Sequence, residues 1–175
     1  MEPVTLTTTI ARPPEAVFEY LADVANHQEF TDHCMVDWHL TREDSYGRGA
    51  GGRFRTKSRF DRFSYGDLTL DELRAPQSIV ATGRAGRFNR IRTRSAWELE
   101  PDGDGRTVVT FTTESTPATF ADRQMEKLLR VRSSTTRCHR KALDRLRAIL
   151  ESGEQRGTHT SVSGGARKPA SGFRL

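Results

Sequence analysis

Gly52-Arg53-Phe54-Arg55-Thr56-Lys57-Ser58-Arg59-Phe60 decides how this chain folds. Every odd position is basic, and every even position is small, apolar or hydroxylated. Successive side chains of a strand point to opposite faces, so the segment reads as a strand with one wet cationic face and one inner face. The same alternation recurs on both sides of it. Val36, Trp38 and Leu40 alternate with Asp37, His39 and Thr41, and Leu68 and Leu70 with Asp67 and Asp71. These two acids are placed to lie opposite the basic row. Ile91, Thr93, Ser95, Trp97 and Leu99 alternate with Arg92, Arg94, Ala96, Glu98 and Glu100, and the turn 101–105 then leads to Val109, Phe111 and Thr113 on one face of residues 107–115. Adding the β-branched segment 4–10 and a short strand at 79–82 gives seven strands, and short turns between them predict antiparallel pairing.

The helical signals lie at either end of this run. Pro13 and Pro14 end the first strand and suit a first helical turn. Val17, Phe18, Leu21 and Ala22 then form one face of a short amphipathic helix. Residues 23–33 read as a second short helix or turn anchored by Phe30. Pro117 opens a long helix reaching about residue 150, with the stripe Ala121, Met125, Leu128, Arg132, Thr135, His139, Ala142, Leu146 and Ile149. The expected class is α+β: a curved seven-stranded antiparallel sheet wrapped around one long C-terminal helix, with two short helices between strands 1 and 2. A single helix over a curved sheet leaves space that either side chains or a ligand must fill.

Composition narrows the possibilities. Of 175 residues, 34% are hydrophobic and 29% charged, with no apolar run approaching the ~18 residues of a membrane span. The first ten residues lack the charged-then-apolar pattern of an export signal, so the expected location is the cytoplasm. The net charge is +5, and the basic residues are 24 Arg and four Lys. Residues 152–175 hold five Gly and four Ser and contribute +3 of that charge. They are expected to be a disordered basic tail behind a ligand-binding domain at 1–151. Cys34 and Cys138 belong to no CxxC pair and are expected to be two reduced, partly buried thiols.

Several local motifs in this order resemble the SRPBCC superfamily of START-like and polyketide cyclase/dehydrase proteins. The matching pieces are Pro14-Glu15-Ala16-Val17-Phe18 leading to Leu21-Ala22-Asp23, the aromatic Phe30, Trp97-Glu98-Leu99-Glu100-Pro101 before Gly105 and Val108, and Ala142-Leu143-Asp144-Arg145-Leu146. The resemblance covers residues 3–150. It implies a helix-grip fold with an elongated apolar cavity between sheet and C-terminal helix. Members bind sterols, lipids, polyketides, quinones or hormones; some catalyse aldol cyclisation or dehydration, and a few sequester toxic antibiotics in their producers. The family has no universal catalytic motif, so function must be read from the cavity wall.

The candidate ligand wall comprises Trp38, Phe54, Phe60, Leu70, Ile91, Trp97, Phe111, Met125 and Leu128, interleaved with the hydroxyls of Thr56, Ser58, Thr93, Ser95 and Thr113. A dry core would favour Val or Leu at the hydroxylated positions, because a buried hydroxyl needs a partner. Thr135 joins this wall from the long helix. His139 is the candidate acid or base and Arg132 the group to hold a carboxylate or polarise a carbonyl. His27, His33 and His39, with Asp32 and Cys34, are spaced like no recognised metal site, so no metal and no cofactor are expected. The basic rows Arg53, Arg55, Lys57, Arg59 and Arg90, Arg92, Arg94 lack interleaved aromatics, which argues against nucleic acid. The glycine-rich residues 47–52 precede a strand rather than a helix and read as a hairpin turn. The expected function is binding of a small hydrophobic metabolite of polyketide, lipid or aromatic type by a monomer or weak dimer. Two roles stand open: a polyketide cyclase/dehydrase-like protein of antibiotic biosynthesis, or a non-catalytic carrier or self-resistance protein that sequesters a toxic product.

Overall fold

The β-branched run Val4–Ile10 forms the first strand, β1, and the Pro13-Pro14 pair ends it and starts α1 (Pro14–Ala22). The computed structural model describes residues 1–57, 65–86, 89–153 and 161–162. After α1, the Asp23 carboxylate accepts from Ala25 N at 3.0 Å, initiating a single 3₁₀ turn that leads into α2 (His27–Thr31). Six strands follow: β2 (Met35–Leu40), β3 (Gly51–Thr56), β4 (Tyr65–Arg74), β5 (Ser78–Ala85), β6 (Ile91–Pro101) and β7 (Thr107–Thr116).

All seven strands lie in one antiparallel sheet, in the order β1-β7-β6-β5-β4-β3-β2. Consecutive strands pair as hairpins, except that β1 closes against β7 with Val4 opposite Thr113 and Ile10 opposite Thr107. Arg53 lies opposite Asp67, as the alternation of β3 and β4 predicts. An eighth strand of two residues, β8 (Ser161–Val162), pairs in parallel with His39 and Leu40 of β2. Residues 154–160 and 163–175 of the predicted tail, with Ser58, Arg59 and Phe60, lie outside the described residues, while Ser152 and Gly153 end α4.

The sheet buries its inner face against α1, α2 and the C-terminal helix. Ile10, Val17, Leu21, Val24, Leu70, Ile79, Val109 and Leu146 are fully buried. Burying each such aliphatic side chain stabilises the fold by roughly 1.5–3 kcal/mol. These residues close off one end of the sheet–helix sandwich, and Leu70, expected on the ligand wall, belongs to this solid part of the core.

The C-terminal helix departs from expectation. It is two helices, α3 (Phe120–Leu128), capped by Thr119 Oγ1 accepting from Asp122 N at 3.1 Å, and α4 (Val131–Ser152). Arg130 between them sits at φ 49°. That left-handed conformation costs an L-residue roughly 1–2 kcal/mol and breaks the helical phase. The stripe drawn through both segments therefore does not share one face. Met125 and Leu128 are exposed on α3, and Arg132 is exposed at the start of α4, so all three leave the predicted cavity wall. The turn into α3 is tightened by polar groups instead: Glu126 accepts from Ser115 Oγ at 2.7 Å and from the Met1 amino group at 2.7 Å.

Candidate functional site

Where the solid core ends, the sheet and α4 diverge around a cavity of about 290 Å³. This lies near the lower end of the roughly 300–1,000 Å³ typical of small-molecule sites. The sheet supplies Trp38 from β2, Phe54 and Thr56 from β3, Ile91, Thr93, Ser95 and Trp97 from β6, and Phe111 and Thr113 from β7. From α4 come Thr135 and His139. These eleven predicted residues meet at one site because the odd–even phase of each strand turns nine of them to the same face, and α4 supplies Thr135 and His139 across from it.

Other lining residues were not predicted. His27, Phe30 and Thr31 of α2 form one end, and Ser134 and Cys138 flank Thr135 and His139 on α4. Ser115 and Glu126 close another part. Ser115 continues the Phe111–Thr113 face by two residues and was legible from the alternation. Glu126 was not, because the inward face of α3 carries carboxylates rather than apolar groups.

The aromatic side chains form a connected set. Trp38 and Phe54 have ring centroids 4.7 Å apart, and Trp97 and Phe111 4.2 Å apart. Phe30 meets Trp97 edge-on at 88°, and His139 stacks on Phe111. Gly52 makes room for this arrangement: a Cβ there would sit 2.8 Å from Trp38 Cζ3. Trp38 itself is buried, and its Nε1 has no hydrogen-bond partner among the described residues. A buried indole N–H ordinarily finds an acceptor, so this donor is enclosed without its usual partner.

The histidines divide by their bonds. His27 Nε2 donates to Leu21 O at 2.9 Å, and His139 Nδ1 donates to Thr135 O at 2.9 Å. Burial pushes both imidazoles below their usual pKa, against the opposing effect of those carbonyls. Each is thus neutral at neutral pH, and in His139 the Nδ1–H tautomer leaves Nε2 as an acceptor. Burial also lowers the pKa of His33, whose Nε2 donates to Cys138 O at 3.0 Å while Nδ1 accepts from Arg145 at 3.0 Å. Arg145 is held in turn by Asp32. His39 is exposed on the opposite face of β2 from Trp38.

The expectation of two reduced thiols is overturned. Cys34 and Cys138 form a disulfide with Cα atoms 5.9 Å apart, and both line the cavity. Spacing in the chain could not reveal this pair, because 104 residues separate cysteines that the packing of α2 on α4 brings together. His33 lies within 4.8 Å of both sulfurs. With the sulfurs bonded to each other and both His33 nitrogens engaged, this group has no free donor set for a metal.

Arg132 lies apart from all this. It lines a shallow outer groove with Arg137, Arg140 and Lys141, on the solvent side of α4. The two residues expected to act together, His139 as acid or base and Arg132 to hold a carboxylate or polarise a carbonyl, are thus split, with only His139 at the cavity.

Solved structures share this architecture at low identity. Norcoclaurine synthase of Thalictrum flavum, a point mutant in complex with a transition state analogue, aligns over 88% of this chain and 96% of its own, with 9% identity and a TM-score of 0.66. A hypothetical protein of Helicobacter pylori aligns over 85% and 88%, with 13% identity and a TM-score of 0.66. A protein of Thermus thermophilus aligns over 87% and 99%, with 14% identity and a TM-score of 0.64. No curated protein matches by sequence. The family described as polyketide cyclase / dehydrase and lipid transport matches residues 1–151, the seven antiparallel strands and nearly all of α4. With the predicted helix-grip architecture in place and that match spanning it, the chain belongs to the polyketide cyclase / dehydrase and lipid transport family.

Proposed function

We propose that this protein holds one small, largely apolar, oxygen-bearing molecule of polyketide, lipid or aromatic type inside the cavity. The observation that carries this reading is the aromatic wall of Trp38, Phe54, Trp97 and Phe111, interleaved with small hydroxylated side chains around one cavity. The hydroxyls of Thr93, Ser95 and Thr113 and the Nε2 acceptor of His139 would orient its oxygens, while the aromatic rings exclude water.

Binding without chemical change is the role the geometry favours. Arg132 faces solvent, and His139 is oriented by a backbone carbonyl rather than by a carboxylate. Carriage or sequestration needs only the wall. A second reading, aldol cyclisation or dehydration, rests on His139 alone. A neutral imidazole with a free Nε2 is a competent base. Under that reading His139→Ala lowers turnover of a polyketide substrate by ~10²-fold or more while binding persists.

The test is titration calorimetry with 1-tetralone and with tetralin, its counterpart lacking the oxygen. The native protein should bind the ketone about tenfold more tightly, and Ser95→Ala/Thr113→Val should erase that preference while retaining tetralin binding. Failure of both compounds to bind would sink the cavity reading. Equal binding of the two by the native protein would sink the role of the hydroxyls.

A further inference from the structure

The short helix α3 is turned inside out. Its acidic residues Asp122 and Glu126 face the body of the protein, where Asp122 pairs with Arg90 at 2.9 Å and Glu126 with the Met1 amino group. Its large apolar residues face outward. Phe120 is 75% exposed, Leu128 74%, Met125 50% and Leu129 45%. At 100° per residue, Phe120, Ala121, Leu128, Met125 and Leu129 fall within one half of the helix circumference, which also holds the exposed Gln124. Arg123 and Lys127 lie together on the adjoining rim, and Arg130 and Arg132, both exposed, follow at the break before and the start of α4.

We propose that α3 docks the protein onto an anionic lipid bilayer, with Phe120 and Leu128 entering the headgroup–acyl boundary. No helix of the described residues is long and apolar enough to cross a membrane, so the mode is interfacial. A largely apolar arc with a cationic rim is the pattern of helices that lie in that interface. Charge complementarity selects the occupant. The exposed basic residues Arg123, Lys127, Arg130, Arg132, Arg137, Arg140 and Lys141 stand against two acids in residues 120–141, both already paired inward. Anionic headgroups match such a surface. A second copy of the chain matches it poorly, because a two-fold contact would set the same cations against each other. Glu126 of this helix also lines the cavity, which places the docked surface beside the ligand space.

The experiment is co-sedimentation of the full chain with phosphatidylcholine–phosphatidylglycerol vesicles and with phosphatidylcholine vesicles. Binding should require the anionic lipid and weaken with added salt. The doubly substituted Phe120→Ser/Leu128→Ser protein should lose affinity at least about tenfold, since both removed side chains are those that enter the bilayer. Arg123→Glu/Lys127→Glu should lose a comparable amount. Arg92→Glu/Arg94→Glu, on the far side of the sheet, should bind within about twofold of the native protein. Circular dichroism and 1-tetralone calorimetry without vesicles confirm that each variant is folded and keep this test separate from that of the cavity. Absence of native binding to anionic vesicles overturns the proposal. So does unchanged binding by Phe120→Ser/Leu128→Ser, or equal loss by the Arg92/Arg94 variant. A concentration-dependent dimer in sedimentation velocity that the Phe120/Leu128 variant abolishes would assign the face to self-association instead.

Discussion

The imidazole of His139 lies against the ring of Phe111, with centroids 4.8 Å apart and planes inclined by 24°. Stacking and the Nδ1 bond to Thr135 O together hold one face and one edge of the ring, while burial, against the opposing effect of that carbonyl, keeps the group neutral.

That environment sets the pH dependence of stability. Burial lowers the folded-state pKa of His27, His33 and His139 from 6.5. The unfolded chain therefore takes up protons first as pH falls. Stability is complete above about pH 6.5 and is lost progressively below it, as pH falls towards and through the folded values. For the two most enclosed groups, His27 and His139, the limiting slope is about 1.4 kcal/mol per pH unit each. Urea midpoints measured at about pH 7.5 and 5.5 should fall on acidification; an unchanged or higher midpoint at the lower pH contradicts the assignment.

The disulfide should carry a large share of stability. Closing a loop of about 100 residues restricts the unfolded chain by up to ~4.7 kcal/mol in the chain-entropy account, and measured losses run at roughly 2–5 kcal/mol. Cys34→Ala/Cys138→Ala should therefore unfold at markedly lower urea, and dithiothreitol should shift the native protein but not the variant. Alkylation of two thiols in the untreated native protein would show that the bridge is absent.

Gly52→Ala should be destabilising although β3 would otherwise gain from losing a glycine. The new methyl would stand 2.8 Å from Trp38 Cζ3 and 3.1 Å from Val24 Cγ1, both in buried side chains. Overpacking of this kind costs roughly 1–3 kcal/mol. The calorimetric Tm reads the effect, and a Tm equal to or above the native value would mean that Trp38 moves aside freely.

Two substitutions on α4 should behave oppositely towards 1-tetralone. Thr135→Phe projects a ring into the cavity and should weaken binding by at least about tenfold, with the secondary structure retained. Arg132→Ala, on the solvent side, should leave affinity within about twofold. A loss caused by Arg132→Ala would restore that residue to the site.

Sequence alone determined the sheet. Alternation has a period of two residues and is set by strand geometry, so Trp38, Phe54, Thr93, Ser95, Trp97, Phe111 and Thr113 could be assigned to one concave face before any coordinates. The order of elements then implied one curved sheet covered by a long helix, the resemblance to the SRPBCC superfamily implied the helix-grip arrangement, and the family match agrees with it. Tertiary structure alone decided three other matters. Arg130 adopts a left-handed backbone that no pattern announces, so Met125, Leu128 and Arg132 turn away from the cavity. Cys34 and Cys138 become neighbours only when α4 packs on α2. Trp38 Nε1 is left without a partner only once the surrounding chain has enclosed it. Periodicity is a local property of the backbone and can be read along the chain, whereas helix phase across a break, pairing over a hundred residues and the satisfaction of a buried donor depend on which distant segments come to rest together.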